Sequence, residues 1–320
     1  MKLFVTGATG FLGQRLIVEL RRQRHEVFAL ARSAAAASEV TRLGATPVEG
    51  DLDDSAKLIL PRIDAVVHAA AYFRFAGPRA PYFGSNVTGT KALIEAARRA
   101  GAATFLYVSA GAVVMDDRGS RLRDVDETAP TYPASFSAYI ASKSQAEAAV
   151  LAANAPDFRT LALRPPGIWG PGDSFSRALP KMVRRRQFAF IGGGDYDYVT
   201  CHVDNVVEAL IKALDRGEGG RAYFINDAEA TTFRGFATGI AGAIGLSIDR
   251  APSIPYGLAW ALGSVMERAA GLVSPDRDPP MSRTMVRLIG REFVTDDAAA
   301  RRELGYVGLV SRAHGLARYC

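Results

Sequence analysis

The chain has 320 residues, of which 48% are hydrophobic and 22% charged, the balance of a soluble globular protein with one large core and a smaller lobe. Its 39 basic and 33 acidic residues leave a net charge of +6. The arginines are scattered in pairs and one triplet, not set in a stripe with aromatics, which speaks against a nucleic-acid partner. Two cysteines (Cys201 and Cys320) imply no disulfide framework, and four histidines without ligand spacing give no metal site. No apolar run reaches the length of a membrane span, and Leu3 already opens a strand, so a cytoplasmic protein without a signal peptide is expected.

The first strand, Leu3-Phe4-Val5, runs into Thr6-Gly7-Ala8-Thr9-Gly10-Phe11-Leu12-Gly13 and then a helix from Gln14 to Arg24. Strand, glycine turn and helix in that order are the context of a dinucleotide loop. Gly7 permits the tight turn, Gly10 lets the backbone approach a pyrophosphate, and Gly13 brings helix and strand together. The helix N-terminus then offers unpaired N–H groups to the phosphates. A second strand, Glu26 to Leu30, ends at Ala31-Arg32-Ser33. An acidic residue there would select NAD; Arg32 suits a 2′-phosphate instead, so NADP(H) is expected over NAD(H).

Further strands are read at Pro47-Val48-Glu49, Ala65-Val66-Val67, Phe105 to Val108 and Thr160 to Leu163, with helices from Gly89 to Ala100 and Ala138 to Asn154. Their alternation predicts an α/β fold of Rossmann type, a doubly wound parallel sheet. Asp51 and Leu52 are expected beside the adenine, and the small Ala69, Ala70 and Ala71 where the backbone nears the cofactor. After Arg164 the alternation gives way to glycine and proline punctuation. Residues 1–165 are therefore assigned to the dinucleotide-binding domain, with 200–216 returning to it. A smaller C-terminal substrate lobe takes mainly 166–199 and 217–320. Within it, residues 254–273 have helical spacing and are read as a lobe helix, or as a wall for a lipophilic substrate or a weak membrane contact.

Tyr139 and Lys143 lie four apart on one helix face. A phenol of pKa about 10 is a poor acid–base group at neutral pH, and a neighbouring ammonium favours the phenolate. That pairing suits proton transfer to a carbonyl oxygen.

Taken in order, several segments resemble the extended short-chain dehydrogenase/reductases. They are Gly7 to Gly13, Asp51-Leu52, His68 to Ala71, Asn86-Val87-Thr88-Gly89-Thr90, Tyr139-Ile140-Ala141-Ser142-Lys143, Arg164 to Asp173, His202 to Val206 and Glu303-Leu304-Gly305-Tyr306. Within that family the chain is most similar to the 3β-hydroxysteroid dehydrogenase and dihydroflavonol-reductase branch. The resemblance implies cofactor contacts from Thr9, Phe11, Leu12, Asn86, Pro165, Gly167 and Ile168. It also implies that Lys143 holds the nicotinamide ribose, and that the protein is a homodimer.

The same resemblance expects a Ser or Thr after the fifth strand to hydrogen-bond the substrate oxygen. Ala110 stands there; Ser109, one place earlier, can substitute only if the strand end kinks, as Gly111 would allow. An apolar substrate pocket is expected from Phe73, Phe75, Ala110, Trp169 and Phe175, with Phe136, Phe188, Phe190, Tyr196 and Tyr198 as further candidates. These residues predict an oxidoreductase interconverting a lipophilic ketone and alcohol. A nucleotide-sugar epimerase and a non-catalytic NADP-binding redox sensor are the alternatives, the second motivated by Ala110.

Overall fold

A computed structural model describes residues 1–273 and 277–319; Cys320 lies outside the described residues. Strand and helix alternate through β1 (Lys2–Thr6), α1 (Phe11–Arg22), β2 (Glu26–Ala31), α2 (Ala34–Arg42), β3 (Thr46–Glu49), β4 (Ala65–His68), α3 (Arg79–Phe83), α4 (Gly89–Arg99) and β5 (Thr104–Val108). After a short β6 (Leu122–Val125) come α5 (Ala138–Ala152) and β7 (Arg159–Arg164). The second half supplies β8 (Gly167–Trp169), α6 (Ser174–Arg184), β9 (Phe190–Ile191), β10 (Thr200–His202), α7 (Val203–Asp215) and β11 (Arg221–Phe224). Then follow α8 (Phe233–Ala243), β12 (Ser253–Ile254), α9 (Tyr256–Val273), α10 (Arg283–Ile289), β13 (Phe293–Thr295) and α11 (Arg312–Ala317).

Seven of these strands form one parallel sheet in the order β11-β7-β5-β4-β1-β2-β3. The chain winds outward from β1 to β3, then returns to place β4 on the other side of β1. A crevice opens at that reversal, beyond the carboxyl ends of the strands. The strands are continuous apolar runs because helices cover both faces: every residue of β4 and β5 is buried. On one face Leu16, Ile17 and Leu20 of α1 join Val203, Val206 and Leu210 of α7 in one core, which brings that late helix back onto the first domain. On the other, Leu93 and Ile94 of α4 and Ala146 and Val150 of α5 cover Phe4, Val66 and Phe105.

Sequence and structure part at β11. It pairs with β7 from Arg221 to Phe224, so this segment belongs to the main sheet, although 217–320 reads as lobe. Four residues between glycine turns carry too short a pattern to be told from a loop strand; the exposed edge of β7 is what recruits them. The lobe has its own aromatic core, built from Phe190, Phe233, Phe236 and Phe293 around Trp169. Trp169 is 1% exposed and donates its indole N–H to Asp227 Oδ2 at 2.7 Å. It is a core residue and not a pocket wall, a correction to the expectation above. Phe188, Phe190 and Tyr198 are buried with it, and Phe175 stacks on Phe236 at 6.3 Å. Rings on short lobe elements bury one another, because the lobe has only two-stranded sheets to pack on.

Candidate active site

The glycine turn folds as its residues require. Gly7 has φ 74°, and a Cβ there would stand 2.7 Å from the Ala70 nitrogen. A Cβ on Gly13 would stand 2.0 Å from the Gly7 oxygen, so neither position accepts a side chain. Gly10 caps α1 with no side-chain bond, and no acidic residue lies in its first turn. The backbone N–H groups around Phe11, Leu12 and Gly13 therefore have no side-chain acceptor, which fits a dinucleotide pyrophosphate.

Around this turn Ala69 and Ala70 pack their backbone against Gly7, while Ala71 is exposed. Arg32 is exposed directly after β2, where Ser33 caps α2 by accepting from Ala36 N. Asp51 is exposed and accepts from Asp53 N at 3.1 Å, with Leu52 buried beneath it against Gly89. Pro165 takes Gly111 N on its carbonyl at 2.7 Å, and Gly167 and Ile168 pair with β10 just beyond.

A buried chain of hydrogen bonds runs from this turn to the helix that carries the candidate pair. Ala70 N donates to Thr6 Oγ1 (3.1 Å), which pairs with His68 Nδ1 (2.6 Å). His68 Nε2 meets Thr90 Oγ1 at 2.8 Å, and Thr90 donates onward to the Asn86 carbonyl at 2.6 Å. Because both threonine hydrogens are then committed, His68 is neutral with its proton on Nε2. Burial, assisted by the Lys143 charge, pushes its pKa down to about 3.

Asn86 closes the chain. Its Oδ1 accepts from Tyr72 N, and its Nδ2 donates to Tyr72 O and Ser142 Oγ at 3.0 Å. The side chain expected to touch cofactor is thus filled by the protein itself. It ties the loop after β4 to α5, a role visible only once three distant segments meet.

Tyr139 lies in the first turn of α5, which Ser137 caps, and its ring meets Phe73 edge-on at 4.7 Å. Lys143 Nζ, one turn on, donates to the Val108 carbonyl at 2.7 Å and lies 4.1 Å from the centre of the Tyr107 ring. Desolvation lowers the Lys143 pKa to about 7, against an opposing pull from Glu147. Desolvation alone raises Tyr139 to about 12. The lowering expected from a neighbouring ammonium is absent, because Lys143 faces the β5 carbonyl and the Tyr107 ring.

Ser109 does not replace the missing hydroxyl. Its N–H donates to Leu163 O and the next-but-one N–H, Gly111, to Pro165 O, so the β5–β7 ladder continues straight where a kink was expected. Alternation then turns Ser109 toward α5, where its Oγ donates to Glu147 Oε2 at 2.6 Å. Arg164 fills the rest of that carboxylate through Nε (3.0 Å) and Nη2 (2.6 Å). All three side chains are at most 4% exposed. Ala110 faces the opposite way, buried in the lobe core that Tyr139 borders.

Beside Tyr139 a cleft of about 390 Å³ is lined by Phe75, Tyr82 and Phe136 on one side, and by Glu267, Ala270 and Gly271 of α9 on another. Phe73 stands 44% exposed and meets Phe75 of that lining edge-on at 5.0 Å. Arg79, Arg277, Arg283 and Thr284 complete the lining and were not foreseen. Thr284 is joined to the α5 cap, its Oγ1 donating to Ser137 Oγ at 3.1 Å. No local motif announces such residues; Arg277, Arg283 and Thr284 come from far beyond the helix that carries Tyr139.

A model of the 3-beta hydroxysteroid dehydrogenase/isomerase family matches residues 4–255. The chain belongs to that family. It is accordingly an NAD(P)-dependent oxidoreductase of the extended short-chain dehydrogenase/reductase type. Among curated relatives it is 38% identical to a 4-hydroxy-2-methyl-3-oxo-4-farnesyl-3,4-dihydroquinoline-1-oxide ketoreductase of Stigmatella aurantiaca, over 99% of this chain and 95% of that one. It is 33% identical to a 2-alkyl-3-oxoalkanoate reductase of Stenotrophomonas maltophilia (strain K279a), over 99% and 98%. A UDP-glucose 4-epimerase from Thermotoga maritima shares the family's fold with this chain at a TM-score of 0.76 and 19% identity, covering 100% and 97%. A UDP-glucuronic acid 4-epimerase from Bacillus cereus in complex with NAD does so at 0.75 and 20%, covering 99% and 97%.

Proposed function

We propose that this chain reduces a lipophilic ketone to an alcohol with NADPH, Tyr139 protonating the carbonyl oxygen. The observation that carries the reading is the position of Tyr139, between the Lys143 ammonium site and a cleft walled by Phe75, Tyr82 and Phe136. Curated relatives named for a farnesyl quinoline ketone and for 2-alkyl-3-oxoalkanoates favour a ketone with a long hydrocarbon part. Gly7, Gly10 and Gly13 would hold the pyrophosphate, Arg32 the 2′-phosphate and Lys143 the nicotinamide ribose. When bound, the dinucleotide supplies a hydride for the carbonyl carbon.

The chain's own residues supply the proton and the geometry. Tyr139 keeps its proton at neutral pH, as a group with a pKa near 12 does, and is armed to donate once a carbonyl oxygen gathers negative charge. Phe73 packs edge-on against the phenol ring and limits its swing. With Ser109 bound to Glu147, Tyr139 alone positions the oxygen, and the apolar walls exclude water. Curated relatives named as ketone reductases favour this reading over an epimerase.

The test is NADPH oxidation with a panel of long-chain ketones. Tyr139→Phe should lower turnover by about 10²–10⁴-fold while NADPH still binds. NADPH should bind more tightly than NADH by about tenfold or more, and Arg32→Gln should erase that preference. Tight cofactor binding with no turnover on any ketone would instead support the sensor alternative.

A further inference from the structure

Arg79, Arg277 and Arg283 line the cleft beside Tyr139 together with Phe75, Tyr82 and Phe136. A hydrocarbon chain filling the cleft would cover these charges without pairing them, which costs free energy. Their placement shows where an anion belongs. Arg79 donates from Nη1 to the carbonyls of Ser135 (3.2 Å) and Phe136 (3.4 Å). Arg283 lies over the Phe136 ring at 5.0 Å. Both converge on Phe136, three residues before Tyr139 and so within about 11 Å of it along the backbone. Nearer the phenol no arginine intervenes: Phe73 meets its ring, and Lys143 turns to the Val108 carbonyl.

The charge of this wall is not balanced from within. Glu267, the carboxylate of the lining among the described residues, is consumed by Arg283, accepting from its N and Nε at 2.7 Å. Asp278 pairs with Arg74 and accepts from Ala76 N. Asp117 is occupied by Ser135 Oγ and Phe136 N and does not line the cleft. That leaves Arg79, bonded to uncharged carbonyls, and Arg277, which is exposed and has no ion pair among the described residues. Arginine pairs with a carboxylate or a phosphate through parallel N–H···O bonds, and apolar walls shield such a pair from water.

We infer that the cleft takes an amphiphilic anion: a lipophilic ketone that carries a carboxylate or phosphate several bonds from its carbonyl. Arg79 and Arg277 hold the acidic group while the carbonyl oxygen meets Tyr139. The two arginines determine specificity and take no part in proton or hydride transfer. The carbonyl half of this assignment rests on the ketone-reductase reading. The anion half stands without it, since a saturated fatty acid offers the same charge and chain.

Titration calorimetry of the NADPH-loaded full chain with decanoate, decyl phosphate and methyl decanoate tests the anion site without turnover. At least one of the two acids should bind about tenfold more tightly than the ester, and the tighter one identifies the acidic group. Arg277→Gln should lower that preference about fivefold, and Arg79→Gln/Arg277→Gln should erase it while leaving the ester's affinity unchanged. Arg79→Lys should keep most of it, and NADPH binding reports that each variant is folded. Turnover then separates the two readings. Oxo acids of rising chain length should show lower KM than their methyl esters at similar kcat, and the double variant should equalise the KM values. If decanoate binds through the arginines but neither acid nor ester is reduced, the ketone reading fails and the anion site stands. Equal binding of both acids and the ester by the unaltered chain, or a preference that survives in the folded double variant, would overturn the inference.

Discussion

Two strand ends at the same edge of the sheet treat their motifs in opposite ways. At the end of β1 the glycine turn leads into a helix whose first N–H groups receive no side-chain cap among the described residues. At the end of β5 the one available hydroxyl, Ser109, is consumed by Glu147 and Arg164. The first end is kept open for a ligand. The second has been turned into a buried clamp holding α5 to β5 and β7. A serine in the right stretch of sequence is therefore not evidence of a catalytic hydroxyl; its partner on the helix decides.

The largest test of that contrast is Glu147→Ala, which leaves the Arg164 guanidinium buried without its carboxylate. A loss of about 3–5 kcal/mol in urea unfolding is expected. A loss under about 1 kcal/mol would mean that the clamp is not what fixes α5. At the open end, Gly13→Ala forces a Cβ to within 2.0 Å of the Gly7 oxygen. The turn must shift, and NADPH affinity should fall about a hundredfold in a fluorescence titration, with smaller damage to folding.

Lys143 stands between the two ends and supplies a pH signature. Its folded pKa of about 7 lies below the unfolded value of 10.5. Between those values the unfolded chain binds more protons, so stability rises with pH across that window, by at most about 1.4 kcal/mol per pH unit. Urea midpoints at pH 7 and pH 9 should show this rise in the native chain and lose it in Lys143→Met. A parallel rise in both would remove the buried lysine as its source.

The smallest effect is the most discriminating. Ser109→Ala removes one hydrogen bond to a charged group and should cost about 1–2 kcal/mol of stability. Turnover should change less than about threefold, whereas loss of an oxyanion donor would cost about a hundredfold.

Much of the fold was legible because its signals are local. The strand runs at Leu3, Glu26, Ala65, Phe105 and Thr160 all entered the sheet, and the glycine spacing marked the turn. The helix that carries Tyr139 and Lys143 was legible too. Trp169, Asn86 and Ser109 were misread for one common reason: each is a polar or aromatic group in a motif stretch whose partner lies far along the chain. Asp227, Ser142 and Glu147 are those partners, and no spacing within a motif reveals them.

By itself the sequence determined the parallel sheet, the bare glycine turn and the tyrosine–lysine pair on one helix face. These follow from backbone sterics and from the helical and strand periods, which act over a few residues. Only the tertiary structure decided which hydroxyl is free, which aromatics face a cleft, and which arginines stand beside them. Those outcomes depend on side chains competing for the same partners and the same buried volume, and that competition exists only once distant segments have packed.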